Sequence, residues 1–337
     1  GMTGAMGLKG GLLKGEILLN LDTEEDDEIG VGCAGGIDVT ATRTYKEEAV
    51  LDNYMAYKIE VKGLNGGHSG MQIHEGLGNA NVIMNRLLYS VVNIIKICDI
   101  DGGSLRNAIP RESVATVVFD NSKKEEFIAH ISAEIEHIKK EFKTTEPKLD
   151  IKFATSKAPD NMLGKELSMN FIKCIYAAHN GVYRMSADIP DLVETSNNVA
   201  RILVKDGHIK IGCLTRSSVE SSKMDLANKL RSTFELIVCD VEFSGSYPGW
   251  TPNMESSILK VMRNLYVKLN NEEPHVAACH AGLECGILGT NYPKMEMISF
   301  GPNIKGAHSP DERAQISSVQ KYWNFVIEIL KEIPKKQ

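Results

Sequence analysis

Two stretches of this chain repeat one order of elements, and that repetition constrains the fold more than any other feature. Val114–Phe119 reads as a strand, 123–142 as a helix and Leu149–Ala154 as a second strand. Ile209–Thr215, 219–236 and Cys239–Phe243 follow the same order. Strands alternating with helices point to α/β or α+β layers. The recurrence predicts two related βαβ-containing halves in the middle of the chain, although the residues themselves do not repeat. Further strands are predicted at 16–21, 37–44, 56–63, 276–279 and 295–299, and helices at 77–97, 254–269 and 315–332. In the last helix Ile316, Val319, Trp323, Val326, Leu330 and Ile333 form one apolar stripe, predicted to face the core. The turn Ser246-Tyr247-Pro248-Gly249-Trp250-Thr251-Pro252 is a strong breaker and a return point between domains.

With 337 residues, 42% of them hydrophobic, the chain has enough material for two well-packed domains. A net charge of −6 lacks the basic footprint that nucleic-acid binding needs. No apolar run approaches the roughly 20 residues of a membrane span, and nothing marks secretion. Seven scattered cysteines without a C-x-x-C pair read as reduced, mostly buried thiols of a cytoplasmic protein.

Several polar residues stand in contexts that suit chemistry. Asp22 closes the apolar run Ile17-Leu18-Leu19-Asn20-Leu21 and opens an acidic one, Asp22-Thr23-Glu24-Glu25-Asp26-Asp27-Glu28. The run alone suits a solvated acidic loop and lacks the spacing of an EF-hand. An acid at the end of a strand, however, lies where α/β sheets place ligands. The later acids of the run read as solvent-facing. His308 sits in the loop Gly306-Ala307-His308-Ser309-Pro310-Asp311-Glu312, a setting for a surface histidine or a ligand alike. His68 lies in Gly66-Gly67-His68-Ser69-Gly70, whose glycines let the backbone turn tightly and push one side chain outward. Arg216 has the planar fork that suits a carboxylate, with a surface ion pair as the alternative. His280 and Glu284 stand four apart in His280-Ala281-Gly282-Leu283-Glu284-Cys285-Gly286, so a helix would place them on one face.

Taken together these segments resemble the Xaa-His (aminoacyl-histidine) dipeptidases of the M20 metallopeptidase superfamily. The resemblance implies a catalytic α/β domain built around two zinc ions and a large inserted α+β lid of two ferredoxin-like halves. On that pattern residues 1–35 and 245–337 are pieces of the catalytic domain and 36–244 is the lid. It also implies site roles. Asp22 and His308 would each bind a zinc, with Asp311 or Glu312 holding the histidine. His68 would reach across the cleft to polarise the scissile carbonyl, and Asn107 and Arg216 would hold the ends of a dipeptide. His280, Gly282 and Glu284 would belong to substrate binding. The family motif Glu-Glu-x-Gly-Met-Thr-Gly-Ala carries its catalytic carboxylates, and this chain opens with Gly1-Met2-Thr3-Gly4-Ala5. No H-x-D motif occurs, and the general-base Glu has no counterpart. The expectation is therefore a truncated enzyme, the C-terminal portion of the family's length, that binds zinc weakly, is inactive by itself and self-associates as a homodimer. A non-catalytic binding protein that keeps the lid is a second reading, and an M20 deacylase or carboxypeptidase a third.

Overall fold

The computed structural model describes residues 2–306 and 311–333. The chain begins with strands β1 (Ile17–Asn20) and β2 (Glu28–Cys33), then crosses into β3 (Gly35–Thr44). There follow β4 (Tyr54–Lys62), α1 (Ala80–Ser90), β5 (Lys96–Gly102), β6 (Ser113–Asp120), α2 (Lys124–Glu141) and β7 (Asp150–Ser156). Next come α3 (Lys165–Ala177), β8 (Val193–Lys205), β9 (His208–Ser217), α4 (Glu220–Glu235) and β10 (Asp240–Tyr247). The chain then returns through α5 (Ser257–Asn270), β11 (His275–Cys279), α6 (Glu284–Asn291), β12 (Glu296–Ser299) and α7 (Ile316–Glu332).

These strands form a four-stranded sheet, β1-β12-β2-β11, and a nine-stranded one running β7-β4-β6-β5-β8-β9-β3-β10. The ninth strand, Gly181–Met185, pairs with β8. The order of the large sheet resolves into two units. In the first, β4-α1-β5-β6-α2-β7, the strands lie in space as fourth, first, third, second, the βαββαβ pattern of a ferredoxin-like half. The second, β3-α3-β8-β9-α4-β10, has the same arrangement, with the whole first unit inserted between β3 and α3. The units join edge to edge where Gly102, Asp101 and Ile100 of β5 pair antiparallel with Ile202, Leu203 and Val204 of β8.

Local sequence accounts for most of these elements. Along β4, Tyr57, Ile59 and Val61 are buried while Lys58, Glu60 and Lys62 alternate with them on the wetter face. Along α2 the buried residues Phe127, Ile131, Ile135 and Ile138 make one stripe. Its first turn carries Glu125 and Glu126 and its last Lys139 and Lys140, which complements the helix dipole. Phe127 stacks on Phe119 at 4.4 Å between ring centroids and tilts against Tyr57 at 5.0 Å, forming the aromatic centre of this core.

Three expectations need correction. The helix expected over 77–97 starts at Ala80, where the Asn79 side chain accepts from the amides of Asn81 and Val82, and it stops at Ser90. Residues 96–102 are the strand β5 instead. Only part of the apolar stripe on α7 faces the core: Val326 is buried and Ile333 packs against the core, but Ile316, Val319, Trp323 and Leu330 are exposed, and Phe325 and Ile329 complete the buried side. This helix is apolar on more than one side, so period alone fits two stripes. Aromatic packing selects one of them, with Phe325 against Tyr266 and Phe300 at 5.5 Å each. Asp26, read as solvent-facing, instead turns inward to pair with the Lys321 ammonium at 2.9 Å.

The two sheets are joined by two adjacent passages. Between β2 and β3 lies Ala34 alone, and the return runs through Pro248 and Gly249. Cys33 and Trp250 exchange backbone hydrogen bonds of 2.9 and 2.8 Å, clamping the passages together. A side chain at Gly35 would fall 2.4 Å from the Gly249 nitrogen, so only glycine permits this approach.

Candidate functional site

The loop carrying His68 is held by a short pairing of Gly67 and His68 with Ile109 and Ala108. The Ser69 amide donates to the Asn107 carbonyl at 2.8 Å, which sets Asn107, itself exposed, beside the histidine. His68 Nδ1 accepts hydrogen bonds from the Gly70 and Met71 amides at 3.2 and 3.1 Å. Backbone amides only donate, so Nδ1 carries no proton and the neutral ring keeps its hydrogen on Nε2. Burial, reinforced by the nearby Arg216 cation, lowers the His68 pKa and favours this neutral form. The side chain is thus set up as a hydrogen-bond donor through Nε2.

Gly70 is the point where the first βαββαβ unit meets the segment that follows β11. A Cβ there would lie 2.3 Å from the His280 carbonyl, 3.1 Å from His68 Cε1 and 3.2 Å from Arg216 Nε. The structure therefore brings His68, Arg216 and His280 to one place. Arg216 is only 4% exposed. Its Nη1 donates to the Tyr247 hydroxyl at 2.7 Å, while Nε is closed to solvent and has no partner. The neighbouring carboxylate, Asp38, pairs with Arg106 at 3.3 Å. A buried guanidinium without a carboxylate of its own is costly unless an anion completes it.

His280 follows β11 directly and is buried, its Nε2 at 2.8 Å from Ser196 Oγ. Burial, with Arg216 adding to it, pushes its pKa down to about 3, so the ring is neutral. It does not share a helix face with Glu284, because α6 begins only at that residue. Gly282 is half-buried, and a Cβ on it would lie 3.0 Å from the edge of the Tyr247 ring. Glu284 is half-buried at the start of α6, next to Cys285, whose thiol the Asn20 side chain approaches from the end of β1.

Asp22 is exposed, two residues past β1. His308 lies outside the described residues. The segments leading to the two are nevertheless stitched together: Phe300 N donates to Asn20 O, Asp26 N to Asn303 Oδ1 and Ile304 N to Glu24 O, at 2.7 to 3.0 Å. Both leave the C-terminal ends of β1 and β12, which are adjacent and parallel. Among the described residues no group of three or more His, Cys, Asp or Glu converges on a metal position. Asp22 and His308 offer two donors, short of the three or four protein ligands of a tight zinc site. That donor set does not fit a complete metal centre.

Sequence reasoning missed Ser196 and Tyr247. Glu194-Thr195-Ser196-Asn197-Asn198 has turn chemistry, yet it forms the first half of β8 and is buried throughout. Its side chains are satisfied across the sheet: Thr195 Oγ1 lies 2.9 Å from Ser217 Oγ, and Asn197 accepts from Thr215 Oγ1 at 3.0 Å. The alternation of Ala200, Ile202 and Val204 further along was the available signal. Tyr247 was read only as part of a breaker.

Two linked sheets, the larger built from two nested βαββαβ units, make a mixed α/β fold, and the chain belongs to the M20 peptidase family, whose dipeptidases are hydrolases acting on peptide bonds. The family's peptidase dimerisation domain matches residues 59–146, within the first βαββαβ unit of the large sheet. Its relatives are dipeptidases. The chain is 40% identical over 338 residues to the cytosol non-specific dipeptidase of Escherichia coli (strain K12), spanning all of this chain and 70% of that protein. It matches the crystal structure of aminoacylhistidine dipeptidase from Vibrio alginolyticus at a TM-score of 0.94 and 38% identity, over 100% of this chain and 69% of that one. Among the described residues no helix is long and apolar enough to cross a membrane.

Proposed function

We propose that this chain supplies the lid and the substrate-holding surface of a zinc-dependent, cytoplasmic Xaa-His dipeptidase. The observation that carries the reading is the buried Arg216, whose Nε lacks a partner where Gly70 brings it beside His68. A dipeptide's C-terminal carboxylate would complete the guanidinium in the two-point manner that arginine favours. Its scissile carbonyl oxygen would then accept from His68 Nε2–H, which stabilises the negative charge that develops there during hydrolysis. Asn107, beside His68, would hold the other end of the substrate, and His280, Gly282 and Glu284 would form the facing wall. In this reading 36–244 is the lid, and 1–35 with 245–337 is the surface it closes on. The intact enzyme would hydrolyse its substrate with metal-activated water. Asp22 and His308 are the zinc donors this chain offers, and by themselves they would bind the metal weakly. Among the described residues no general base is placed in the site, so in this reading the chain alone binds dipeptides without turning them over.

Calorimetric titration with Gly-His and with its C-terminal amide tests this. The free acid is expected to bind, and Arg216→Gln to weaken it by on the order of ten- to a hundredfold. Equal affinity for acid and amide, or Gly-His turnover that disappears on Asp22→Ala, would overturn the assignment.

A further inference from the structure

We infer that Tyr247 is the positioning residue that aims Arg216 at its carboxylate, through a gap left for it by Gly36. The inference rests on the reading of Arg216 given above and adds the means by which that side chain is held.

Arg216, Gly36 and Tyr247 form one row across three neighbouring strands, β9, β3 and β10. The outer two backbones are then about 10 Å apart, twice the strand spacing, and their side chains can meet only over the middle residue. That residue has no side chain. A Cβ on Gly36 would lie 2.6 Å from the Tyr247 hydroxyl and 2.7 Å from its ring, so any other amino acid there would displace the tyrosine. A bulge between Ser244 and Tyr247, with Gly245 at φ +58, adds the extra residue that brings Tyr247 opposite Gly36. Gly282 leaves room for the other edge of the ring. Behind it, the fully buried Lys223 donates to the Tyr247 carbonyl at 2.9 Å, holding the backbone from α4.

The choice of a phenol has an electrostatic consequence. A carboxylate in its place would orient the guanidinium but also neutralise it. The Tyr247 hydroxyl accepts from Nη1 while carrying no charge, and burial raises its pKa further above the ordinary tyrosine value. Arg216 is thus oriented without being neutralised by its neighbour, and Nε is left buried and unpartnered beside Gly70. The ligand class is a small molecule with a free carboxylate.

The test compares dissociation constants for Gly-His and its C-terminal amide on the wild-type chain, Tyr247→Phe and Arg216→Gln. Tyr247→Phe is expected to weaken the acid about tenfold while leaving amide affinity unchanged. A purely structural role would shift both ligands together, or neither. If Tyr247→Phe keeps the full preference for the acid, this inference fails and Arg216 keeps its role. If the wild type has no preference, the reading of Arg216 fails and takes the inference with it. A measurement on the wild-type fold guards against a variant that does not fold. In arginine-labelled protein, the guanidinium resonance that Arg216→Gln removes should show slow rotation about Cζ–Nη1, and free rotation would overturn the inference.

Discussion

In the large sheet α1, α2, α3 and α4 all contribute to one core, and β5–β8 pairing makes two units continuous. The four-stranded sheet has a smaller core from α5, α7 and its own strands, and it leaves Ile316, Val319, Trp323 and Leu330 of α7 in water. The first region exposes apolar side chains singly, such as Leu105, Tyr176 and Leu236, around its large core. The second retains an apolar helix face of the size and spacing that normally meets another element. Stability should therefore reside mainly in the large sheet, and the α7 stripe offers a surface for association besides the dimerisation-domain match at 59–146.

The sharpest way to break this comparison is to open the larger core. Phe127→Ala removes a fully buried ring and is expected to destabilise the protein by about 3–5 kcal/mol. Denaturant unfolding should show that loss. A change below about 1 kcal/mol would mean the large sheet is not the stable region.

A middle-sized effect separates the two regions by pH. The His280 pKa is lowered in the folded state, so protons bind the unfolded chain more readily. The stability linked to its neutral form is complete above the unfolded value near 6.5, and it declines as pH falls toward about 3. The expected slope is about 1.4 kcal/mol per pH unit within that window. His68 and His179 shift in the same direction, so the measurement is the difference between wild type and His280→Gln at pH 7, 6 and 5. Parallel curves for the two proteins would show that His280 is not held neutral by the junction.

The smallest effect on folding belongs to the exposed stripe. Trp323→Glu should change stability by no more than about 0.5 kcal/mol, because the ring is 58% exposed. We expect it to shift the chain from dimer toward monomer in light scattering. An unchanged mass, with the wild type itself dimeric, would move the interface to the large sheet.

Much of the fold was legible where side chains alternate cleanly. β4, β6, α2 and α4 followed from period-two and helical patterns, and the repeated βαβ order foretold paired units. The nesting was not legible, because β3 and α3 belong to one unit although a whole second unit separates them in sequence. β8 was hidden by the buried polar run from Glu194 to Asn198, where hydrogen bonds across the sheet replace apolar contact. For the site, glycine-rich context singled out His68 and chemistry singled out Arg216. Ser196 and Tyr247 went unnoticed because their roles depend on neighbours distant in sequence. His280 stood out by its motif, but only the structure revealed its burial.

The nested lid also dictates an order of events during synthesis. Gly36 emerges long before its partner Arg216, which the register places 180 residues later. Throughout that interval β3 has neither of its neighbours, while the inserted unit, whose four strands β4, β5, β6 and β7 pair with one another within 54–156, can close as soon as it is made. That finished unit then offers β5 as a template for β8, and β8 recruits β9, which finally captures the waiting strand. Translation that pauses after residue 156 should therefore be harmless to the nascent chain. A pause between β8 and β9 would leave two unmatched sheet edges exposed to other chains.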